Sequence, residues 1–302
     1  MESEKVKGHL AAISANLIYG LNINAAKSLL ADSWMTPMGL TITRMFLAAM
    51  MFWIISLFIK KEKTGRKDLL IFATGALFGM VFALFAFATG LQYTTPVTWS
   101  LISALSPIIV LLLAAVFLSE RISLKKAFGV AIGILGAAII LIQNKTYSAN
   151  TNSLFGIGIA VASVTSYAAY VVIMRKASLK FTPVTMMKWM FLWAFIFLSP
   201  FCIPDLPRQR IFSPEVSWRP ILLLGYIVFL TSGLAFALMP VALKRIKATT
   251  TSMYICLQPV TTSAAAIVTG QDVFSWDKLL ALLLIIIGIT IVTQSTSNIL
   301  KK

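Results

Sequence analysis

The stretch SPIIVLLLAAVFLSE (Ser106–Glu120) returns 152 residues later as QPVTTSAAAIVTGQD (Gln258–Asp272). Pro107 falls on Pro259, Glu120 on Asp272 and, further along, Gly136 on Gly288, without a gap. Thr36-Pro37 recurs as Thr182-Pro183 at a slightly smaller offset. These matches predict a duplicated unit, residues 1–145 followed by residues 153–302.

The repeated unit is apolar. Hydrophobic residues make up 59% of the chain and charged residues 12%, against about 25% charged in soluble domains. Charges collect between apolar runs long enough to cross a bilayer as helix. Ten spans follow: 8–28, 38–59, 69–90, 95–117, 126–142, 154–174, 184–200, 219–240, 248–268 and 278–294. Backbone groups inside hydrocarbon must bond within their own segment, so runs of this length are helices. The short alternating segments of a transmembrane barrel are absent from the sequence. The expected fold is an all-α polytopic membrane protein with lipid around its outer faces.

Counting Lys and Arg on alternating sides gives 18 on the side of both termini and six on the other. That bias puts both termini in the cytoplasm. The same distribution explains the net charge of +16 as orientation signals, and excludes nucleic acid as a partner. The polar start MESEKVKGH leads into a retained first span, not a cleaved signal. Five spans per unit is an odd number, so the second copy enters the membrane from the opposite side. The result is an inverted repeat, an arrangement suited to alternating access. The proline-bearing connection 201–218 is expected to be an irregular external loop that shapes an entrance or merely links two spans. Gly129, Gly133 and Gly136 mark the fifth span as a close-packing helix, for the scaffold or for contact with a second copy in a homodimer.

Embedded polar residues single out the candidate substrate contacts. Arg44 lies about seven residues into the second span, where a charge facing lipid costs several kcal/mol. It reads as a substrate or gate contact, with internal pairing and snorkelling as alternatives. Lys188 occupies a similar depth in the seventh span. Asn16, Tyr19 and Lys27 share one face of the first span, with Asn22 and Asn24 nearby; Ser163, Tyr167 and Tyr170 align in the sixth. For each of these, ligand contact competes with helix packing. Trp99, Ser103 and Ser106 share a face of the fourth span, opposite Thr251, Ile255 and Gln258 in the repeat, with Tyr254 adjoining. Pro107 and Pro259 each free a carbonyl one turn earlier and permit a bend. Phe78, Phe82 and Phe85 form an aromatic stripe in the third span, suited to core packing or to an apolar substrate.

All ten acids fall in termini, loops or span ends, and the sole histidine, His9, lies at the cytoplasmic edge. This disfavours proton coupling, for which Glu120 and Asp272 are the remaining acids, and favours a facilitator or exchanger. Paired carboxylates, His clusters and Gly-rich phosphate loops are missing, so neither a membrane enzyme nor an ATP-driven motor is expected, and no cofactor or metal.

Two five-helix units, each with a proline thirteen residues before an acid and then a glycine-bearing helix, resemble the EamA repeats of the drug/metabolite transporter superfamily. Pro107 with Glu120 fits the repeat; Pro259 with Asp272 departs from the usual Glu but keeps the charge. The resemblance covers nearly the whole chain. It implies a bacterial inner-membrane permease whose first four helices in each half surround a cavity and whose fifth and tenth lie at the periphery. It also implies export of amino acids or related amphipathic metabolites. Uptake by the same fold, and a non-transporting scaffold or receptor subunit, are the alternatives.

Overall fold

A computed structural model describes residues 2–120, 123–143, 154–202, 206–207, 209–268 and 276–299. Asp272, and with it the second acid of the repeat, lies outside these residues. Among the described residues there are ten helical rods. They are α1 (Glu2–Ala31), α2 (Pro37–Leu57), α3 (Arg66–Gln92), α4 (Pro96–Ser103 and Ser106–Phe117) and α5 (Leu124–Gln143), then α6 (Leu154–Lys180), α7 (Pro183–Cys202), α8 (Trp218–Arg245), α9 (Ala248–Met253 and Leu257–Val268) and α10 (Trp276–Ile299). Five of them, α2, α3, α6, α7 and α8, are long and apolar enough to cross a membrane by length and composition. The protein is an all-α polytopic membrane protein. Basic residues 175–180, expected as a loop, instead continue α6 by a turn and a half, which lets Lys180 reach Asp68 at 2.7 Å.

The repeated sequence signals have local causes. Pro37 and Pro183 open α2 and α7, where a missing N–H costs nothing, and the preceding threonines cap them. Thr36 Oγ1 accepts from the Gly39 N–H at 3.0 Å, and Thr182 Oγ1 accepts from the Thr185 N–H at 3.4 Å. Pro107 and Pro259 interrupt α4 at Ala104-Leu105 and α9 at a 3-10 turn, Tyr254–Cys256, one turn before each ring. Ser119, at φ 53°, ends α4 in the left-handed conformation, and the Glu120 N–H bonds back to the Ala114 carbonyl at 3.1 Å. That turn delivers the Glu120 carboxylate to the start of α9, where it accepts from the Ala248 N–H at 3.2 Å and the Thr249 hydroxyl at 2.7 Å. The proline-to-acid spacing of the first repeat therefore carries a helix-capping bond between the two halves.

α3 and α8 each contain a stretch of π-helix, Leu77–Phe82 and Tyr226–Ala235. The wider bonding frees carbonyls that neighbours must satisfy. Ser166 donates to Phe78 O and Ser163 to Ala83 O, both at 2.7 Å. In α8, Ser232 donates to Ile227 O at 3.1 Å.

Interactions between helix ends sort the rods into two faces. At the face where α1 begins, Glu4 meets Arg245, Asp68 meets Lys180, Glu62 caps α7 and Glu120 caps α9. At the other, Gln209 Oε1 accepts from the Thr36 N–H at 2.7 Å, Lys27 donates to the carbonyls of Leu91 and Thr94, and Tyr93 packs on Phe155. The 201–218 connection is irregular where described. It contains a short 3-10 turn, Arg210–Phe212, and Ile211 is buried against the α1–α2 corner.

α5 and α10 pack on each other. A Cβ on Gly288 would stand 2.6 Å from Gly129 O and 2.8 Å from Gly133 N, so the two backbones touch and only glycine fits. The Gly129–Gly133 face is spent within the chain. The largest core cluster lies among α2, α3, α6, α7 and α8 and is rich in Met and Phe.

Candidate substrate-binding cavity

Between α1, α2, α3, α4, α6, α8 and α9 lies a cavity lined by Tyr19, Asn22, Arg44, Phe87, Trp99, Ser103, Ser106, Tyr167, Thr231, Phe236 and Gln258, with Ile23, Leu84 and Val164 among the aliphatic lining. It holds about 600 Å3 of empty space, counting the part that opens to solvent. Trp99 is three residues into α4 and Arg44 seven into α2, so at 1.5 Å per residue these two lining residues lie about 5 and about 10 Å beneath the face where α2 and α4 begin, opposite the α1 start. Its walls combine apolar and aromatic surface with a few polar groups, the usual make-up of a small-molecule site. Trp99 packs edge-on against Phe87 at 4.9 Å; a Cβ on Gly90 would lie 2.8 Å from the indole, so glycine lets the ring settle onto α3.

Arg44 is the only charged residue in the lining. It is 1% exposed, and its Nε donates to Ser232 Oγ at 3.0 Å. Because Ser232 Oγ also donates to Ile227 O, the π stretch of α8 fixes the guanidinium. Arg44 Nη2 has no partner among the described residues, nor do the buried oxygens Asn22 Oδ1, Ser106 Oγ and Thr231 Oγ1. No described carboxylate pairs with Arg44: the ion pairs lie at helix ends. An unneutralised charge at this depth costs several kcal/mol, and the cavity is where a counter-charge has access.

On the side of the cavity toward the α1 start, six rings form a continuous layer. Tyr19 meets Tyr167 at 6.5 Å and Phe236 at 5.6 Å; Tyr170 meets Tyr167 at 5.4 Å and Phe236 at 6.4 Å. Phe236 continues to Phe191, and Phe191 stacks on Phe52, each at 5.7 Å. The Tyr19 and Tyr167 hydroxyls are neighbours without an aligned hydrogen bond. This layer joins α1, α2, α6, α7 and α8.

The description "EamA-like transporter family" matches residues 6–142 and again 154–294. The chain belongs to the EamA-like transporter family. It is 24% identical over 282 residues to the uncharacterized transporter YyaM of Bacillus subtilis (strain 168), covering 92% of this chain and 91% of that protein. It is 29% identical over 192 residues to an uncharacterized transporter of Archaeoglobus fulgidus, covering 63% and 65%. A protein of known crystal structure superposes with a TM-score of 0.74 over 99% of both chains at 17% identity, a likeness of fold. This EamA-like protein is a transporter and not an enzyme.

Of the residues expected at a substrate site, Tyr19, Arg44, Trp99, Ser103 and Gln258 meet in the cavity of this EamA-like transporter, and so do Asn22, Ser106, Ser163, Tyr167 and Ile255 from the same polar or repeated faces. The others lie elsewhere. Asn16 is fully buried behind Gln258, whose Nε2 donates to Asn16 Oδ1 at 3.0 Å. Asn24 Nδ2 donates to Thr262 O at 3.3 Å, joining α1 to α9. Tyr170 is buried in the aromatic layer, and Phe78 packs edge-on against Phe82 at 6.1 Å. Lys188 lies 5.2 Å from the Trp53 ring and 5.8 Å from that of Trp189. Tyr254 Oη is 2.7 Å from His9 Nδ1 near the α1 start. Lys27 is engaged with the C-terminal carbonyls of α3, where a cation is favourable. Thr231 and Phe236 line the cavity without having stood out in the sequence; the Thr231-Ser232 pair inside an apolar run was the available signal.

Proposed function

We propose that this protein exports small carboxylate-bearing metabolites, amino acids or related amphipathic compounds, by alternating access between two inverted five-helix halves. The observation that carries the reading is the Arg44 guanidinium: buried, lining the cavity, and without an acid partner among the described residues. A guanidinium stays protonated in proteins and matches a carboxylate with paired donors. Tyr19, Trp99, Ser103 and Gln258 are the other proposed contacts, and Phe87 and Leu84 offer apolar surface to a side chain. The inverted arrangement is supported by Thr36-Pro37 and Thr182-Pro183, whose helices start at opposite faces, and by π stretches in the third helix of each half. The bias of basic residues supports cytoplasmic termini in a bacterial inner membrane. In that orientation the aromatic layer lies on the cytoplasmic side, so this conformation is the one closed to the cytoplasm. A homodimer would form through faces other than the glycine seam.

The test is counterflow in proteoliposomes loaded with a mixed amino-acid and organic-acid pool. Wild type takes up a labelled acid, and Arg44→Gln, folded and inserted equally, loses that uptake. No uptake from the whole pool sinks the reading. The direction of gradient-driven flux in oriented vesicles separates export from uptake.

A further inference from the structure

We infer that Asn16, which does not touch the cavity, is a positioning residue that makes Gln258 a fixed hydrogen-bond acceptor and so selects substrates carrying a hydrogen-bond donor, such as the ammonium of an amino acid. The inference rests on the reading above, in which Arg44 holds a carboxylate.

A carboxamide is nearly symmetric in shape but not in polarity, since one end donates and the other only accepts. Asn16 Nδ2 donates to the Ala12 carbonyl, one helical turn back, at 2.9 Å. A main-chain carbonyl has no hydrogen to give, so this bond settles which end of Asn16 is which. Oδ1 is left facing α9, and there it accepts from Gln258 Nε2 at 3.0 Å. Reversing Gln258 would set two oxygens against each other in a buried site, where an unmade bond is costly. The polarity of Gln258 is thus dictated by the backbone of α1 through a relay of two amides. Its Oε1 takes no hydrogen bond from the described residues, and the side chain lines the cavity with 8% of its surface exposed.

The other polar groups of the wall do not impose the same choice. The hydroxyls of Tyr19, Ser103, Ser106, Ser163, Tyr167 and Thr231 rotate to donate or accept, and Asn22, whose Oδ1 has no partner among the described residues, has no hydrogen bond there that fixes which end of its amide faces the cavity. Arg44 only donates. Gln258 Oε1 is therefore the oriented acceptor of the wall. A ligand whose carboxylate sits on Arg44 satisfies it by bringing a hydrogen-bond donor: an ammonium, another N–H or a hydroxyl. Amino acids meet both demands; the same carbon skeleton without the nitrogen meets one.

The probes are leucine and its desamino analogue 4-methylpentanoate, titrated by calorimetry against the full chain in detergent. Wild type is expected to bind leucine about tenfold or more tightly than the analogue, the scale of a hydrogen bond to a charged group. In Asn16→Leu the Gln258 amide is released, and the preference falls to about twofold or less while the analogue binds as before. Gln258→Leu, which leaves Asn16 intact, gives the same collapse. Because the readout is a ratio within one preparation, partial loss of folded protein does not mimic it. An unchanged preference in both variants, or equal binding of the two probes by wild type, overturns the inference and leaves the carboxylate reading standing. Binding of neither probe by wild type overturns both.

Discussion

Replacing Ser232 by alanine removes the one hydrogen bond that holds the Arg44 side chain among the described residues, the 3.0 Å contact from Nε. A bond with one charged partner is worth about 1.5–3 kcal/mol. Since Arg44 lines the cavity, a water molecule has room to solvate Nε in the variant, which places the loss near the lower limit. About 1.5 kcal/mol corresponds to roughly a tenfold rise in KM for a substrate bound through the guanidinium. Counterflow with Ser232→Ala measures it, and thermal unfolding in detergent supplies the control. Ser232→Ala destabilises the wild-type background by about 1 kcal/mol or more, but costs less once Arg44 is already glutamine, where of the two bonds only the one to the Ile227 carbonyl is left to lose. Equal cost in both backgrounds, or an unchanged KM, refutes the claim that the π stretch of α8 positions the cation.

Three further outcomes follow from the helix ends and the glycine seam. Burial pushes the Glu62 carboxyl up, but hydrogen bonds from Thr185 and Thr182 outweigh it and hold the group below its ordinary value. The cap is thus fully present above the unfolded carboxylate range and is lost as pH falls through the depressed folded value. Glu62→Ala should cost about 1 kcal/mol near neutrality, a gap in melting temperature that closes in acid. Gly288→Val drives side-chain atoms into the Gly129 carbonyl and should destabilise by about 1–3 kcal/mol, read as a lower melting temperature; an unchanged one would show that α5 and α10 do not touch. Lys27→Met frees the carbonyls of Leu91 and Thr94, so it lowers thermal stability while leaving KM unchanged, the reverse of the balance expected for Arg44→Gln.

What the sequence made legible was whatever repeats or conflicts with its surroundings. Thr-Pro, Pro107 and Pro259 stand out because each fixes a helix start or break, and the duplicated chain uses them twice. Arg44 stands out because a charge in hydrocarbon needs a reason. Lys188 gives the same signal at a similar depth, and only packing separates them: one faces the π stretch of α8, the other two indoles between α2 and α7. Tyr167 and Tyr170 sit a turn apart on one face, yet one lines the cavity and the other fills the layer behind it. Ser166 resembles a ligand contact in sequence but serves the Phe78 carbonyl in the π stretch of α3, a distortion with no residue signature, and Ser163 lines the cavity while donating to the Ala83 carbonyl just after that stretch. Hydroxyls are in general inexpensive in a helix because they can bond their own backbone, so Thr231 draws no notice in the sequence, although its Oγ1 bonds none of the described residues.

The acids complete the physical account of the cavity. In the described structure Glu4, Glu62, Asp68 and Glu120 each bind a residue of the other half, Arg245, Thr182, Lys180 and Ala248 with Thr249 respectively, all at the face where α1 begins. That face is also the one behind the aromatic layer, so polar bonds between the halves and packed rings close the same end. Those bonds sit at helix ends, where water and free N–H groups make a carboxylate cheap to hold. Arg44 sits in the cavity wall, away from the helix ends, and the bond to Ser232 leaves its charge uncompensated. Moving any of these acids inward to neutralise it would forfeit a cap or an ion pair at the closed end. With these four carboxylates spent on joining the halves, the cavity cation has no acid partner among the described residues, and that is the physical basis of the proposal that the cargo is an acid.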